Sequence, residues 1–254
     1  MSRPLSIAVV GDFQRGKSSL INALLGRNAA EMGRGLSTTH ENKIFELSKA
    51  VSIIDTPGFN ADGQDDGTAA SAIDMADVMV YVHESKALGE TCADVFKRVR
   101  EQGKQMVFLL NCKNFEKWSP TENDDIVSTI DAELETKGLK PIIVPLNGRI
   151  VTPVNILWAR LGLGLVDSNS QDGARDIRKI HSYARDDLGL DVSGMSDEAF
   201  SAEMLQRSGF LPVRDFLNNL PLEVLKHTVL NPQKEIERIV DRFEAEFKKR
   251  WTAA

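Results

Sequence analysis

The run Gly11-Asp12-Phe13-Gln14-Arg15-Gly16-Lys17-Ser18 has the residue types and spacing to hold a chain of phosphates. G-x-x-x-x-G-K-S is the phosphate-binding loop pattern. Consecutive backbone N–H groups wrap an anion, and the helix that follows adds its own unpaired N–H groups and the positive end of its dipole. Gly11 and Gly16 allow backbone shapes and close approach that a Cβ would obstruct. Lys17 would reach the β- and γ-phosphates, and the Ser18 hydroxyl would ligate Mg²⁺. Asp55-Thr56-Pro57-Gly58, Ser37-Thr38-Thr39-His40 and Asn111-Cys112-Lys113-Asn114 each lie beside an apolar run.

The elements that would position these residues follow from the pattern. Leu5 to Val10 reads as a strand and Ser19 to Leu25 as a helix, the setting the phosphate loop requires. Asn42 to Leu47 and Ala50 to Ile54 read as an antiparallel pair, because Ser48-Lys49 is too short for a crossover. A loop over Asn60 to Gly67 follows. Asp77 to Val82, Gln105 to Leu110 and Pro141 to Leu146 are further strands, the last ending in the loop Leu146-Asn147-Gly148. Glu90 to Gln102 reads as a helix with Val95, Phe96 and Val99 inward. A second begins at Ser119-Pro120 with Ile126, Ile130 and Leu134 inward. Strands alternating with such helices predict an α/β fold: a mainly parallel sheet with one antiparallel strand and helices on both faces. Arg149 to Phe200 shows no convincing strand, so residues 149–207 are expected to form a helical insertion before a last core helix bearing Val213, Phe216, Leu217 and Leu220. The expected organisation is a domain over 1–228 and a C-terminal helix over 229–254. That helix carries a narrow seam of Ile236, Val240, Phe243 and Phe247, and could begin a bundle or stalk.

Composition narrows the class. A net charge of −6 does not favour a general nucleic-acid scaffold. Cys92 and Cys112 read as reduced core thiols of a cytosolic protein. No apolar run approaches the roughly 20 residues needed to cross a bilayer. The four histidines, His40 and His83 included, show no metal-ligand spacing. Lys248-Lys249-Arg250 reads as the solvated end of a helix.

The wording GDFQRGKSSLINALLG, GRGLSTTH and IIDTPGF resembles the TRAFAC class of P-loop GTPases, and within it the bacterial dynamin-like proteins; SGFLPVRDFL is similar to the last helix of their GTP-binding domain. The resemblance covers residues 5 to about 225. It implies a Ras-like domain that binds GTP or GDP with Mg²⁺ as cofactor and hydrolyses GTP. It also implies a nucleotide-dependent homodimer and a cytoplasmic or peripheral membrane location through regions beyond this chain; the acidic net charge and the lack of anything like an RNA-binding domain set the expectation of no nucleic acid as partner. A regulatory switch of the Era kind, as in ribosome assembly, and a catalytically weak nucleotide-binding scaffold are the alternatives. On this resemblance Gly11, Asp12, Phe13, Gln14, Arg15, Gly16, Lys17, Ser18 and Ser19 surround the phosphates. Ser18, Thr39 (or Thr38) and Asp55 face the metal, and Gly58 faces the γ-phosphate. Gln14, Arg15, Lys17 and Thr39 are the implied catalytic residues, with Gln14 able to position water and Arg15 to stabilise charge or remain a solvated loop residue. Asn111, Lys113, Asn114 and Asn147 are implied at the base.

Two departures from the family pattern stand out. Phe59 occupies the place of the water-orienting glutamine, which implies slow basal turnover. Asn114 occupies the place of the guanine-reading aspartate, setting an NH₂ donor against the donors of the base, with Glu116 a nearby replacement carboxylate.

Overall fold

The computed structural model describes residues 4–12, 14–31, 42–56 and 66–220. Phe13, Thr38, Thr39, His40, Gly58 and Phe59 lie outside the described residues, as do the side chain of Asn114 and the whole C-terminal helix expected over 229–254.

Six strands form one sheet among these residues: β1 (Leu5–Val10), β2 (Lys43–Ser48), β3 (Val51–Asp55), β4 (Val78–His83), β5 (Gln105–Asn111) and β6 (Val151–Val154). Their order is β2-β3-β1-β4-β5-β6, and every neighbouring pair is parallel except β2 and β3. The central strands are near-continuous apolar runs because both faces are covered. Side chains alternate between those faces. Ile7, Val9, Ile53, Val80 and Val82 meet α1 (Lys17–Leu25), α5 (Ile156–Gly162) and α8 (Phe210–Asn218). Ala8, Val10, Ile54, Met79, Tyr81 and Phe108 meet α2 (Asp66–Met75), α3 (Glu90–Glu101) and α4 (Asp124–Thr136). This is the Ras-like α/β fold, with the phosphate loop at the carboxyl ends of β1, β3 and β4.

A third core sits outside the two sheet faces. Leu157, Trp158 and Leu161 turn away from the sheet on α5 to meet Ile180, Tyr183 and Ala184 of α6 (Gln171–Asp186) and Phe200 and Met204 of α7 (Asp197–Arg207). Helix α5 thus serves two cores, with Ile156 and Ala159 buried against the sheet. The inward residues expected on α3, α4 and α8 are buried, Ile126 and Phe216 only in part. Cys92 and Cys112 are buried free thiols with pKa values pushed up to about 12 by burial.

Two expectations need correction. Residues 141–146 do not form the last strand. Lys140–Ile142 is a single 3₁₀ turn, and Ile143 makes one isolated parallel bridge to Met106. Pro145 has no N–H to continue the ladder, and the chain leaves through a turn closed by the backbones of Leu146 and Arg149. The ladder resumes at Val151↔Phe108, so the last strand lies inside the stretch expected to hold none. Pro153 is tolerated there because β6 is the edge strand. In addition, the start expected at Ser119-Pro120 is a 3₁₀ turn, Pro120–Glu122, with α4 opening at Asp124. Helix α2 went unread because its Gly, Thr, Ala and Ser residues give only a weak apolar stripe.

Candidate functional site

β1 delivers the chain at Gly11, whose φ of 147° and position beside β4 leave no room for a side chain: a Cβ would stand 2.4 Å from the Val82 carbonyl oxygen. Gln14 takes a left-handed φ of 59° and is exposed on the crest of the loop. Gly16, at φ 97°, caps α1, and a Cβ there would meet Asn111 Nδ2 at 2.8 Å. The glycines thus let the loop lie against β4 and β5.

Lys17 and Ser18 open α1. The Lys17 ammonium is buried and donates to the carbonyls of Gly11 at 3.2 Å and Asp12 at 3.0 Å, which holds it within the curve of the loop. Burial lowers its pKa to about 8, against the pull of Asp55 and Asp12. Ser18 Oγ donates to Asp55 Oδ2 at 3.3 Å. Asp55 closes β3 and is buried; desolvation raises its pKa to about 6, opposed first by Lys17. Its Oδ1 is buried with no hydrogen-bond partner. A hydroxyl and a carboxylate in contact, with one carboxylate oxygen unmatched, suit a hard cation that takes its remaining ligands from phosphate and water. Ser18 and Asp55 would hold Mg²⁺ in this way. Among the described residues no cluster of three His, Cys, Asp or Glu could hold a metal without such a ligand. Thr56 Oγ1 donates to the Val9 carbonyl at 2.7 Å and ties the end of β3 to the end of β1.

The other expected phosphate residues sit on the same loop. Arg15 Nε lies 3.8 Å from Asp12 Oδ2 and has no hydrogen-bond partner. Ser19 follows on α1 and is half-buried.

At the base end, Asn111 is buried at the tip of β5. Its Nδ2 donates to the Arg15 carbonyl at 3.1 Å, and its Oδ1 accepts from Ile156 N–H at 3.4 Å. It therefore joins the phosphate loop to the start of α5. Cys112–Asn114 is a 3₁₀ turn with Lys113 half-buried. The Glu116 side chain is 92% exposed, with its Oε1 3.8 Å from Lys86 Nζ.

Asn147 is not at the base. It is exposed at φ 51° in the turn that precedes β6, whereas the phosphate loop lies at the carboxyl ends of the strands. The loop at the carboxyl end of β6 holds Asn155 instead. It caps α5 by accepting from Trp158 N–H at 3.1 Å and donates to the Trp118 carbonyl at 3.0 Å. The signal for it was present, an asparagine directly before an apolar helical run, but the misplaced strand concealed it. His83 is buried with Nε2 3.1 Å from the Ala87 carbonyl, a structural role.

The fold is of the Ras-like GTPase type, with the phosphate-loop pattern at the carboxyl end of β1. The sequence profile described as "50S ribosome-binding GTPase" matches residues 6–112. Among curated relatives, GTPase Der of Bifidobacterium longum is 33% identical over 115 residues, covering 41% of this chain and 25% of that protein. GTPase Der of Streptomyces coelicolor is 34% identical over 115 residues, covering 41% and 24%. The chain thus spans about a quarter of the length of these relatives. Among solved structures, Era in complex with MgGDPNP and nucleotides of 16S ribosomal RNA aligns over 70% of this chain and 57% of its own, at 16% identity and a TM-score of 0.47.

Proposed function

We propose that this chain binds GTP with Mg²⁺ and hydrolyses it to GDP and phosphate, working as a regulatory switch on a ribosomal partner. The observation that carries the reading is the placement of Lys17, Ser18 and Asp55 around one phosphate loop, with Asn111 joining that loop to the base end. In the reaction, the loop N–H groups and Lys17 bind the β- and γ-phosphates and offset the charge that develops as the terminal phosphoryl group leaves GDP for water. Mg²⁺, held by Ser18 and Asp55, supplies further charge neutralisation. In this reading Gln14, which is exposed, orients the attacking water, and Arg15, whose Nε lies 3.8 Å from Asp12 Oδ2, turns toward phosphate.

The match to the ribosome-binding profile and to Der favours the switch over the dynamin-like reading. Homodimer activation and membrane association have no support from these relatives. The expectation of no nucleic-acid partner gives way to an RNA–protein particle, and a cytoplasmic location goes with it. Sedimentation with purified 50S subunits tests the partner. A GTP-analogue-loaded chain should co-sediment and a GDP-loaded chain should not; equal recovery in both states would argue against a switch.

A further inference from the structure

The loop from Asn111 to Trp118, which reads the base if the site is a GTP site, carries Asn114 where the family pattern has a carboxylate, and its far end is held from outside the loop. One source of that hold lies in the third core. Tyr183 projects from α6 and is almost fully buried. Its ring lies near-parallel to Trp118 with centroids 5.9 Å apart, and a tilted Trp158 stands at the same distance on α5. The Tyr183 hydroxyl accepts from the Trp118 N–H at 2.9 Å, with the Ser119 N–H at 3.5 Å, and donates to Glu122 Oε2 at 3.0 Å. The neighbouring Trp118 carbonyl is held by Asn155. Both backbone groups of Trp118 are therefore fixed by side chains from β6–α5 and α6, neither of which belongs to the loop.

We propose that Tyr183 is a positioning residue for base recognition: its hydroxyl fixes the end of the loop so that Lys113 and the loop backbone meet the guanine in a single geometry. The inference rests on the reading of this site as a GTP site. Burial and Glu122 push the Tyr183 pKa up to about 12, so the hydroxyl keeps the proton it donates. Nothing local in the sequence marks Tyr183, which lies 65 residues from its amide partner.

The test is calorimetric binding of GDP and of ADP, both with Mg²⁺, to the full chain and to Tyr183→Phe. This substitution keeps the ring and its stacking and removes only the hydroxyl. GDP should bind about fivefold or more weakly, as expected for one lost hydrogen bond to a buried amide. ADP affinity should be unchanged, so the guanine preference falls. A merely structural loss would weaken both nucleotides alike. Glu122→Ala, at a half-buried surface position, leaves the hydroxyl without its acceptor and should move the GDP/ADP ratio in the same direction; it also serves as the readout if Tyr183→Phe does not fold. A GDP/ADP ratio equal to wild type in these variants, with wild type binding GDP, would overturn the role of Tyr183 alone. A wild-type chain that binds no GDP would remove the GTP-site reading and this inference together.

Discussion

Lys17 carries its charge into a place largely shut off from water, and the cost of doing so is readable. Its pKa falls from 10.5 to about 8, chiefly through desolvation. Between about pH 8 and pH 10.5 the unfolded chain holds the proton and the folded chain does not, so folding stability rises with pH across that window. Lys17→Met is of similar length and has no proton to release. In urea denaturation of the nucleotide-free protein at pH 7 and pH 9.5, wild type should gain on Lys17→Met by up to about 2 kcal/mol. An identical response of the two proteins would mean that the ammonium is solvated. The methionine variant should also lose the stabilisation that GTP gives wild type. The phosphate loop was legible at this scale because its chemistry is local: Gly11, Gly16, Lys17 and Ser18 act through backbone shape and neighbours within a few positions. Asn111 was legible as a site residue, but its bonds to Arg15 and Ile156, 96 and 45 positions away, were not.

Helix α5 is the element on which sequence and structure part most clearly. Residues 141–146 have the apolar content of a strand, yet Pro145 interrupts the ladder, and the shorter run 151–154 takes the place beside β5. Apolar content alone does not show which of two adjacent runs pairs. The misread strand set the loop after the last strand at Asn147 rather than at Asn155 and hid the start of α5. Asn155 has two separable tasks, capping α5 and holding the Trp118 carbonyl. Asn155→Ala should therefore cost more than an ordinary cap, about 2 kcal/mol against roughly 1, measured as a shift in the urea midpoint at constant slope. Asn147→Ala should leave nucleotide affinity unchanged, since that residue is exposed in a turn remote from the phosphate loop. A loss of GDP binding from Asn147→Ala larger than from Asn155→Ala would restore the sequence-based assignment.

At the scale of the molecule, a sheet with one antiparallel edge strand presents a phosphate loop at its carboxyl ends, and three further helices, α5 to α7, build a separate core beside the base loop. The sheet was largely legible from alternating strands and helices, because parallel strands covered on both faces leave unbroken apolar runs. The third core was legible only as helical content, since its contacts join Trp118 to residues some 40 to 65 positions away. The family profile matches residues 6–112, which include Lys17, Ser18 and Asp55. The most direct test is phosphate release from GTP, measured with Mg²⁺ and with EDTA, for wild type and Ser18→Ala, with ATP as competitor. The site predicts release that requires Mg²⁺, ignores excess ATP, and falls at least about 100-fold in Ser18→Ala, where a metal ligand is lost. Release that persists in EDTA, or that Ser18→Ala leaves intact, would contradict a Mg²⁺-dependent GTPase site built on Lys17, Ser18 and Asp55.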